Sequence, residues 1–180
     1  MKLLGQTTLR LVLDELGRGR NRSLGSGPWT ERLLSIADAE LGPTWFDVEL
    51  TAAEALAVVL PMHAGEPCRG DRMMLVGPRG LSVADTADRF RAIEAEYART
   101  NRSCWERIDR ARTDPLSRIV LAGSPIDHEE YRELSHDAGP GRAPLFCLDG
   151  RHRLVGWALA GVLAPGAVVP AHVVGPVGAR

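Results

Sequence analysis

The sequence has a single lysine, three cysteines and no long apolar run. The shortage of cysteine and the lack of a long apolar run argue against a disulfide-rich protein and against a membrane-spanning protein. The three cysteines, Cys68, Cys104 and Cys147, lie too far apart to suggest a disulfide framework. No run approaches the roughly 20 apolar residues of a membrane span, and the N-terminal residues lack the pattern of a signal peptide. We therefore expect a cytoplasmic protein with no membrane partner. Lys2 is the only lysine; the preference for arginine, with many Ala, Gly and Pro residues, indicates a GC-rich bacterial genome.

Charge and length narrow the class further. The 22 lysine and arginine residues nearly balance the 23 aspartates and glutamates, which leaves a formal net charge of −1. This balance argues against broad nonspecific binding to nucleic acid, which needs an excess of positive charge. A chain of 180 residues with 44% hydrophobic residues is expected to form one domain, or one domain with a small appendage.

Hydrophobic periodicity predicts a mainly helical first part with short strands. The predicted helices are Leu3–Leu16, Trp29–Leu41, one from the capping box Thr51-Ala-Ala-Glu54 to about Leu60, and a long one from Ser82 that Asn101 interrupts. Short strands are predicted at Trp45–Leu50 and Met73–Val76. The serine and threonine positions predict helix starts because their hydroxyl oxygens accept hydrogen bonds from the first backbone N–H groups.

The last third changes period and predicts a small α/β unit. Strands are predicted at Arg118–Ala122, Pro144–Leu148 and Ala167–Val174, with helices at Asp127–His136 and Arg151–Val162 between them. Strands that alternate with helices over so short a stretch are typical of an α/β fold, with helices packed on a sheet. The fold class we expect is therefore α/β (α+β), with a mixed sheet.

The turn between the last strand–helix pair carries the chemistry that we consider most informative. Gly150 allows the backbone angles of a sharp turn and keeps side chains away from a ligand. Arg151, His152 and Arg153 follow in the first helical turn, where backbone N–H groups lack intrahelical acceptors. Two guanidinium groups at the positive end of a helix dipole predict an anion site, with phosphate as the obvious occupant. The alternative is a solvated basic patch, although cations in a first helical turn are themselves unfavourable.

The motif and its surroundings resemble the ParB/sulfiredoxin superfamily. The residues that carry the resemblance are Asp149-Gly-Arg-His-Arg153, the helix after it, Gly161 and the strand Val169-Pro-Ala-His-Val-Val174. The nearest type is the Asp-Gly-x-His-Arg motif of the free-serine kinases. The resemblance implies a ParB/sulfiredoxin-like nucleotide-binding core at residues 116–180, and residues 1–115 are then expected to form a mainly helical extension packed on it.

Departures from two branches of the superfamily narrow the expected activity. Sulfiredoxins have a reactive cysteine where this chain has Arg151, so reduction of a sulfinic acid is not expected. Chromosome-partitioning members continue into a helix-turn-helix DNA module, whereas this sequence ends at Arg180. We therefore expect no sequence-specific nucleic-acid partner. Nucleotide-dependent phosphoryl transfer to a small-molecule metabolite, in specialised biosynthesis, is the activity that the resemblance favours.

Within that resemblance each motif residue has an expected role. Asp149, Gly150, Arg151, His152 and Arg153 would bind ATP or another nucleotide together with Mg²⁺. Asp149 would bind the metal or a ribose hydroxyl, or brace the turn through nearby backbone N–H groups. His152 would donate to a phosphate oxygen, or it is a structural histidine.

The expected general base lies upstream of the motif. A His128-Glu-Glu130 sequence occupies a place comparable to that of the serine-kinase base, so Glu129 or Glu130 would orient the acceptor. The other reading is an acidic first turn of a helix, which the helix dipole favours. A zinc site is not expected because Arg132 stands where a helical zinc motif needs its second histidine.

Two alternatives to the kinase-like function stay open. A noncatalytic nucleotide-sensing or protein-interaction module would retain the same anion-binding turn without a base. The turn would also suit the phosphate or carboxylate of a substrate without any nucleotide. The sequence does not specify the substrate, the nucleotide or the oligomeric state.

Overall fold

The computed structural model describes residues 1–19, 28–61, 80–128, 131 and 145–176. These residues contain six helices and five strands, which confirms the mixed α/β class. In chain order the elements are β1 (Lys2–Thr7), α1 (Leu9–Gly19), α2 (Pro28–Leu41), β2 (Trp45–Thr51), α3 (Ala52–Leu56), α4 (Val83–Thr100), α5 (Arg102–Ala111), β3 (Ile119–Ala122), β4 (Phe146–Asp149), α6 (Arg151–Leu159) and β5 (Val168–Val174). No helix in the described ranges is long and apolar enough to cross a membrane.

The five strands form one mixed sheet in the order β1-β2-β5-β3-β4. β5 and β3 are parallel, and the other neighbouring strands are antiparallel. β5 lies in the centre, where it pairs with β2 from Trp45 opposite Val174 to Thr51 opposite Val168. Its Val-rich sequence suits this place, because a central strand is buried on both faces.

Helices cover both faces of the sheet, so the core has two parts. On one face α1 and α2 pack over Trp45, Val120 and Val174. On the other face α3, α4, α5 and α6 pack over Val48 and Leu121. Alternate residues of β2, β3, β4 and β5 thus enter opposite core clusters, as the two-residue period of a strand requires.

The sheet extends across the predicted boundary at residue 115. β1 and β2 come from the first part, while β3, β4 and β5 come from the second part. Both core clusters likewise combine residues from the two parts. The first part therefore contributes strands to the same sheet, and whether residues 116–180 fold by themselves stays a prediction.

The N-terminal helix was predicted to begin too early. Residues Lys2–Thr7 form β1, which pairs antiparallel with β2, and α1 begins only at Leu9. The apolar stripe that predicted the helix runs from Leu9 to Leu16 and lies wholly within α1. Leu3 is exposed and does not belong to that stripe.

The helix after β2 is shorter than predicted. The capping box forms as expected, with the Thr51 hydroxyl accepting from the Glu54 backbone N–H. The helix nevertheless ends at Leu56, because Val59 hydrogen-bonds to the backbone beside β4: its N–H donates to the Leu145 carbonyl at 2.8 Å. Tertiary pairing therefore outcompetes the helical pattern in this segment.

Most of the remaining predictions on described residues agree with the structure. Ser82 caps α4, and Asn101 separates α4 from α5. The three strands and the last helix predicted for the last third appear as β3, β4, β5 and α6, with ends shifted by a few residues. The predicted strand Met73–Val76 lies outside the described residues, and so does most of the predicted helix Asp127–His136, whose described residues Asp127, His128 and Tyr131 form bends and a turn.

Candidate functional site: the corner between β4 and α6

The corner between β4 and α6 depends on Gly150 for two separate reasons. Its backbone has φ 102° and ψ 10°, a left-handed conformation that side-chain-bearing residues rarely adopt. A Cβ at this position would also lie 2.6 Å from Cγ2 of Ile119. The glycine therefore permits both the turn and the close approach of β3 to it.

A β-bulge directly before the corner redirects the end of β4. On β3, Leu121 pairs with Cys147, and Val120, the residue before it, pairs with Asp149. β4 therefore contains one additional residue between these two pairs. Such a bulge bends a strand and re-aims the side chain that follows, and bulges are common next to binding sites. It presents Asp149 at the start of the turn.

The Arg153 side chain is bonded to the protein on three sides. Its Nη1 donates to the Arg118 carbonyl at 2.7 Å and to Ser117 Oγ at 3.0 Å. Its Nη2 pairs with Asp149 Oδ2 at 2.8 Å, and the two side chains are only 26% and 21% exposed. Arg153 and Asp149 therefore brace the corner against the segment that leads into β3 through their ion pair, whereas the alternative role expected for Asp149 was a bond to nearby backbone N–H groups.

Arg151 points to a different neighbour. Its guanidinium carbon lies 5.8 Å from the centroid of the Trp29 ring, in a cation–π contact with the first turn of α2. The His128 ring lies edge-to-face with the same indole, at a centroid distance of 5.9 Å. The described part of the chain thus places Arg151, Trp29 and His128 side by side at the corner.

His152 points to a third neighbour. Its Nε2 lies 3.4 Å from Sγ of Cys104 on α5, and the Tyr97 hydroxyl donates to the same sulfur at 3.2 Å. The three consecutive side chains diverge because successive residues of a helix are rotated by about 100°. His152 therefore joins α6 to α4 and α5, an arrangement that fits the structural role as well as the donor role.

The predicted general base lies outside the described residues, whereas Asp149, the predicted metal ligand, lies within them. Glu129 and Glu130 lie outside the described residues. In the described ranges, no group of three or more His, Cys, Asp or Glu side chains is arranged to hold a metal ion. Asp149, the predicted metal ligand, is paired with Arg153, and this pairing competes with binding of a metal ion.

Comparison with known proteins gives one match. The whole chain, residues 1–180, matches the model of a family described as "Family of unknown function (DUF6309)". The protein belongs to this DUF6309 family. No curated protein and no solved structure matches it.

This DUF6309 protein also contains a group of charged side chains that its sequence did not reveal. Arg118 pairs with Glu15 at 3.1 Å and with Asp47 at 2.9 Å. His172, which is 2% exposed, has Nε2 at 3.2 Å from Glu15 and Nδ1 at 2.6 Å from Asp47. Nδ1 makes no hydrogen bond in the described part of the chain despite its short distance to Asp47.

The charged group connects to the corner through one residue. Arg118 uses its side chain for Glu15 and Asp47 and its backbone carbonyl for Arg153. The sequence contains one weak signal for the charged group: His172 lies in an otherwise apolar strand, where a buried histidine needs a polar partner. Which partner it finds depends on how β2, β5 and α1 meet, and the local pattern does not contain that information.

Proposed function

We propose that the protein binds the phosphate groups of a nucleotide, ATP first among them, at the corner between β4 and α6 and transfers the terminal phosphoryl group to a small metabolite. The observation that supports this most is the strand–Gly150–helix corner itself, with its left-handed glycine and two arginines in the next helical turn. A corner of this kind lets phosphate oxygens approach backbone N–H groups at the positive end of a helix dipole.

The two arginines would contribute in different ways. Phosphoryl transfer asks a protein mainly for positioning and for neutralisation of charge. Arg153, bonded to Asp149 and to the Arg118 carbonyl, would hold the shape of the corner. Arg151 would supply positive charge in the first turn of the helix, where its guanidinium group also contacts the Trp29 ring. Charge-assisted bonds of this kind contribute about 1.5–3 kcal/mol each.

The acceptor would be a hydroxyl or amino group of the metabolite. Its oxygen or nitrogen attacks the terminal phosphorus, the bond to the bridging oxygen breaks, and the acceptor proton passes to a carboxylate while the nucleoside diphosphate leaves. Glu129 and Glu130 stay our candidates for that carboxylate.

Magnesium would arrive with the nucleotide. In nucleotide sites Mg²⁺ is held by one or two carboxylates, by phosphates and by water, so a dedicated cage of protein ligands is not needed. Asp149 would serve as a ligand only by exchanging part of its pairing with Arg153. We therefore assign the transfer no step that depends on a metal held by the free protein.

Binding is tested by titration calorimetry and thermal shift with ATP, ADP, CTP, AMP and pyrophosphate, each with and without Mg²⁺. We expect ATP to bind, and Arg151→Ala to weaken binding about 10-fold or more; the melting temperature without ligand measures separately what the loss of the Trp29 contact does to stability. The matched control is Arg107→Ala, on α5. Wild-type protein that binds none of these ligands would refute the proposal.

One observation favours the noncatalytic alternative enough to keep it as a second candidate. The motif's carboxylate and one of its arginines satisfy each other within the protein, which is what a binding module without chemistry would need. Incubation with γ-labelled ATP and a panel of small alcohols, amino acids and amines separates the two. Labelled product supports transfer, and tight ATP binding with no product across the panel supports a nucleotide sensor.

A further inference from the structure

Trp29 is exposed to an extent that its fold does not explain. It lies in the first turn of α2, and 42% of the residue is accessible to solvent. Among the exposed large hydrophobic residues in the described ranges it is the only aromatic one; the others are Leu3, Leu4, Leu11 and Val168. Burial of a tryptophan side chain is worth several kcal/mol, so an indole left partly in water invites a functional explanation.

The position of this indole relates it directly to the corner. One arginine side chain, Arg151, runs from the first turn of α6 to the ring of Trp29, with its guanidinium carbon 5.8 Å from the centroid. The His128 ring holds the indole from another side at 83° to its plane. The side chains of Arg151 and His128 therefore both contact the indole, while 42% of the Trp29 residue is exposed to solvent.

We propose that Trp29 is the platform on which the nucleobase stacks when the nucleotide's phosphates occupy the corner. This inference rests on the proposed function, since it names the second contact of the same ligand. Aromatic side chains hold bases by stacking, which tolerates any base because each has a π-face. A guanidinium beside the ring adds to such stacking and also neutralises phosphate charge, so Arg151 would contact both ends of the ligand.

The geometry suits a nucleoside phosphate better than a phosphate alone. The Arg151 side chain reaches from the corner towards the indole, with its guanidinium carbon 5.8 Å from the ring centroid, and a nucleoside phosphate likewise has its base and its phosphates on opposite sides of the ribose. A free phosphate or pyrophosphate would use the corner and leave Trp29 untouched. Stacking on Trp29 therefore predicts that the protein distinguishes nucleotides from inorganic polyphosphates of the same charge.

The experiment compares ATP with inorganic triphosphate in wild type and three variants. Trp29→Ala removes the ring, Trp29→Phe retains a smaller one, and Leu11→Ala removes an exposed apolar side chain on α1 as the matched control. We expect Trp29→Ala to weaken ATP binding about 5- to 150-fold, the range typical of loss of one stacked base. Triphosphate binding should stay unchanged, Trp29→Phe should recover part of the loss, and Leu11→Ala should change neither.

The outcomes separate failure of this inference from failure of the proposed function. Trp29→Ala that binds ATP as tightly as wild type, with triphosphate also bound, overturns the inference and leaves the corner site standing. An equal loss for ATP and triphosphate also overturns it, because the indole would then act on the corner and not on the base. Wild-type protein that binds neither ligand overturns both proposals. Triphosphate binding in the variant also reports that the corner is still folded.

Discussion

At the scale of single residues, the corner gives its sharpest prediction at Gly150. Alanine there must adopt φ near 102° and place its Cβ 2.6 Å from Ile119, so we expect Gly150→Ala to destabilise the protein by about 2–5 kcal/mol. Gly166→Ala is the matched control, because Gly166 has φ 94° but no atom within 4 Å of the added Cβ. Urea denaturation measures both free energies of unfolding. Equal losses would contradict the role of the Ile119 contact.

Arg153 carries the second residue-scale prediction. Arg153→Ala removes three partly buried hydrogen bonds, and we expect a loss of about 2–3 kcal/mol in the free energy of unfolding. Arg102→Ala removes another i,i+4 ion pair, with Glu106, whose arginine side chain is 81% exposed. That control should change stability by less than about 0.5 kcal/mol. Comparable values for the two variants would show that Arg153 does not brace the corner.

Individual residues also show what the sequence could and could not reveal about the site. The order strand, Gly150, basic helical turn was predictable because glycine angles, caps and apolar runs are local signals. The partners of Arg153 and His152 were not predictable, since Ser117 and Cys104 lie 36 and 48 residues away along the chain. Such contacts depend on which faces of α5, α6 and β3 meet, and no local pattern encodes that.

At the scale of elements, helix starts marked by a Ser or Thr cap were predicted correctly, whereas the start of α1 and the end of α3 were not. A cap acts within three residues, so Thr51 and Ser82 are readable locally. The end of α3 and the strand β1 depend on pairing with distant strands instead. A run of leucines at the N-terminus suits either structure, and the pairing of Lys2–Thr7 with β2 decides between them.

Two serines, Ser82 at the cap of α4 and Ser35 within α2, are expected to differ in how replacement by alanine changes the free energy of unfolding. Ser82 Oγ accepts from the Asp85 backbone N–H at 3.1 Å, so we expect Ser82→Ala to lower the free energy of unfolding by about 0.5–2 kcal/mol. Ser35 lies within α2, where its hydroxyl donates to the Glu31 carbonyl. Ser35→Ala should be neutral or stabilising by up to about 0.5 kcal/mol, because alanine has the higher helix propensity. Thermal and urea unfolding of both variants measure the difference.

At the scale of the whole molecule, the sequence predicted the class of fold but not the order of the sheet. Alternating strands and helices in the last third predicted an α/β unit, and that class is confirmed. The central place of β5, between β2 and β3, follows from pairing across most of the chain. The resemblance covered only β3, β4, α6 and β5, so it gave no information about β1 and β2 as members of the same sheet.

The shared sheet leads to the last prediction, that residues 116–180 do not fold by themselves. Without residues 1–115, β5 loses its seven paired residues of β2, and Trp157 loses the Asp114 carbonyl that accepts its indole N–H at 3.1 Å. One core cluster loses α1 and α2, and the other loses α3, α4 and α5 and keeps only α6, which leaves apolar faces of the sheet in water. We expect the fragment to show a collapsed amide spectrum by NMR, and an equimolar mixture with residues 1–115 to recover dispersion. A dispersed spectrum from the fragment alone would mean that the first part is an appendage to an independent core, as the resemblance implies.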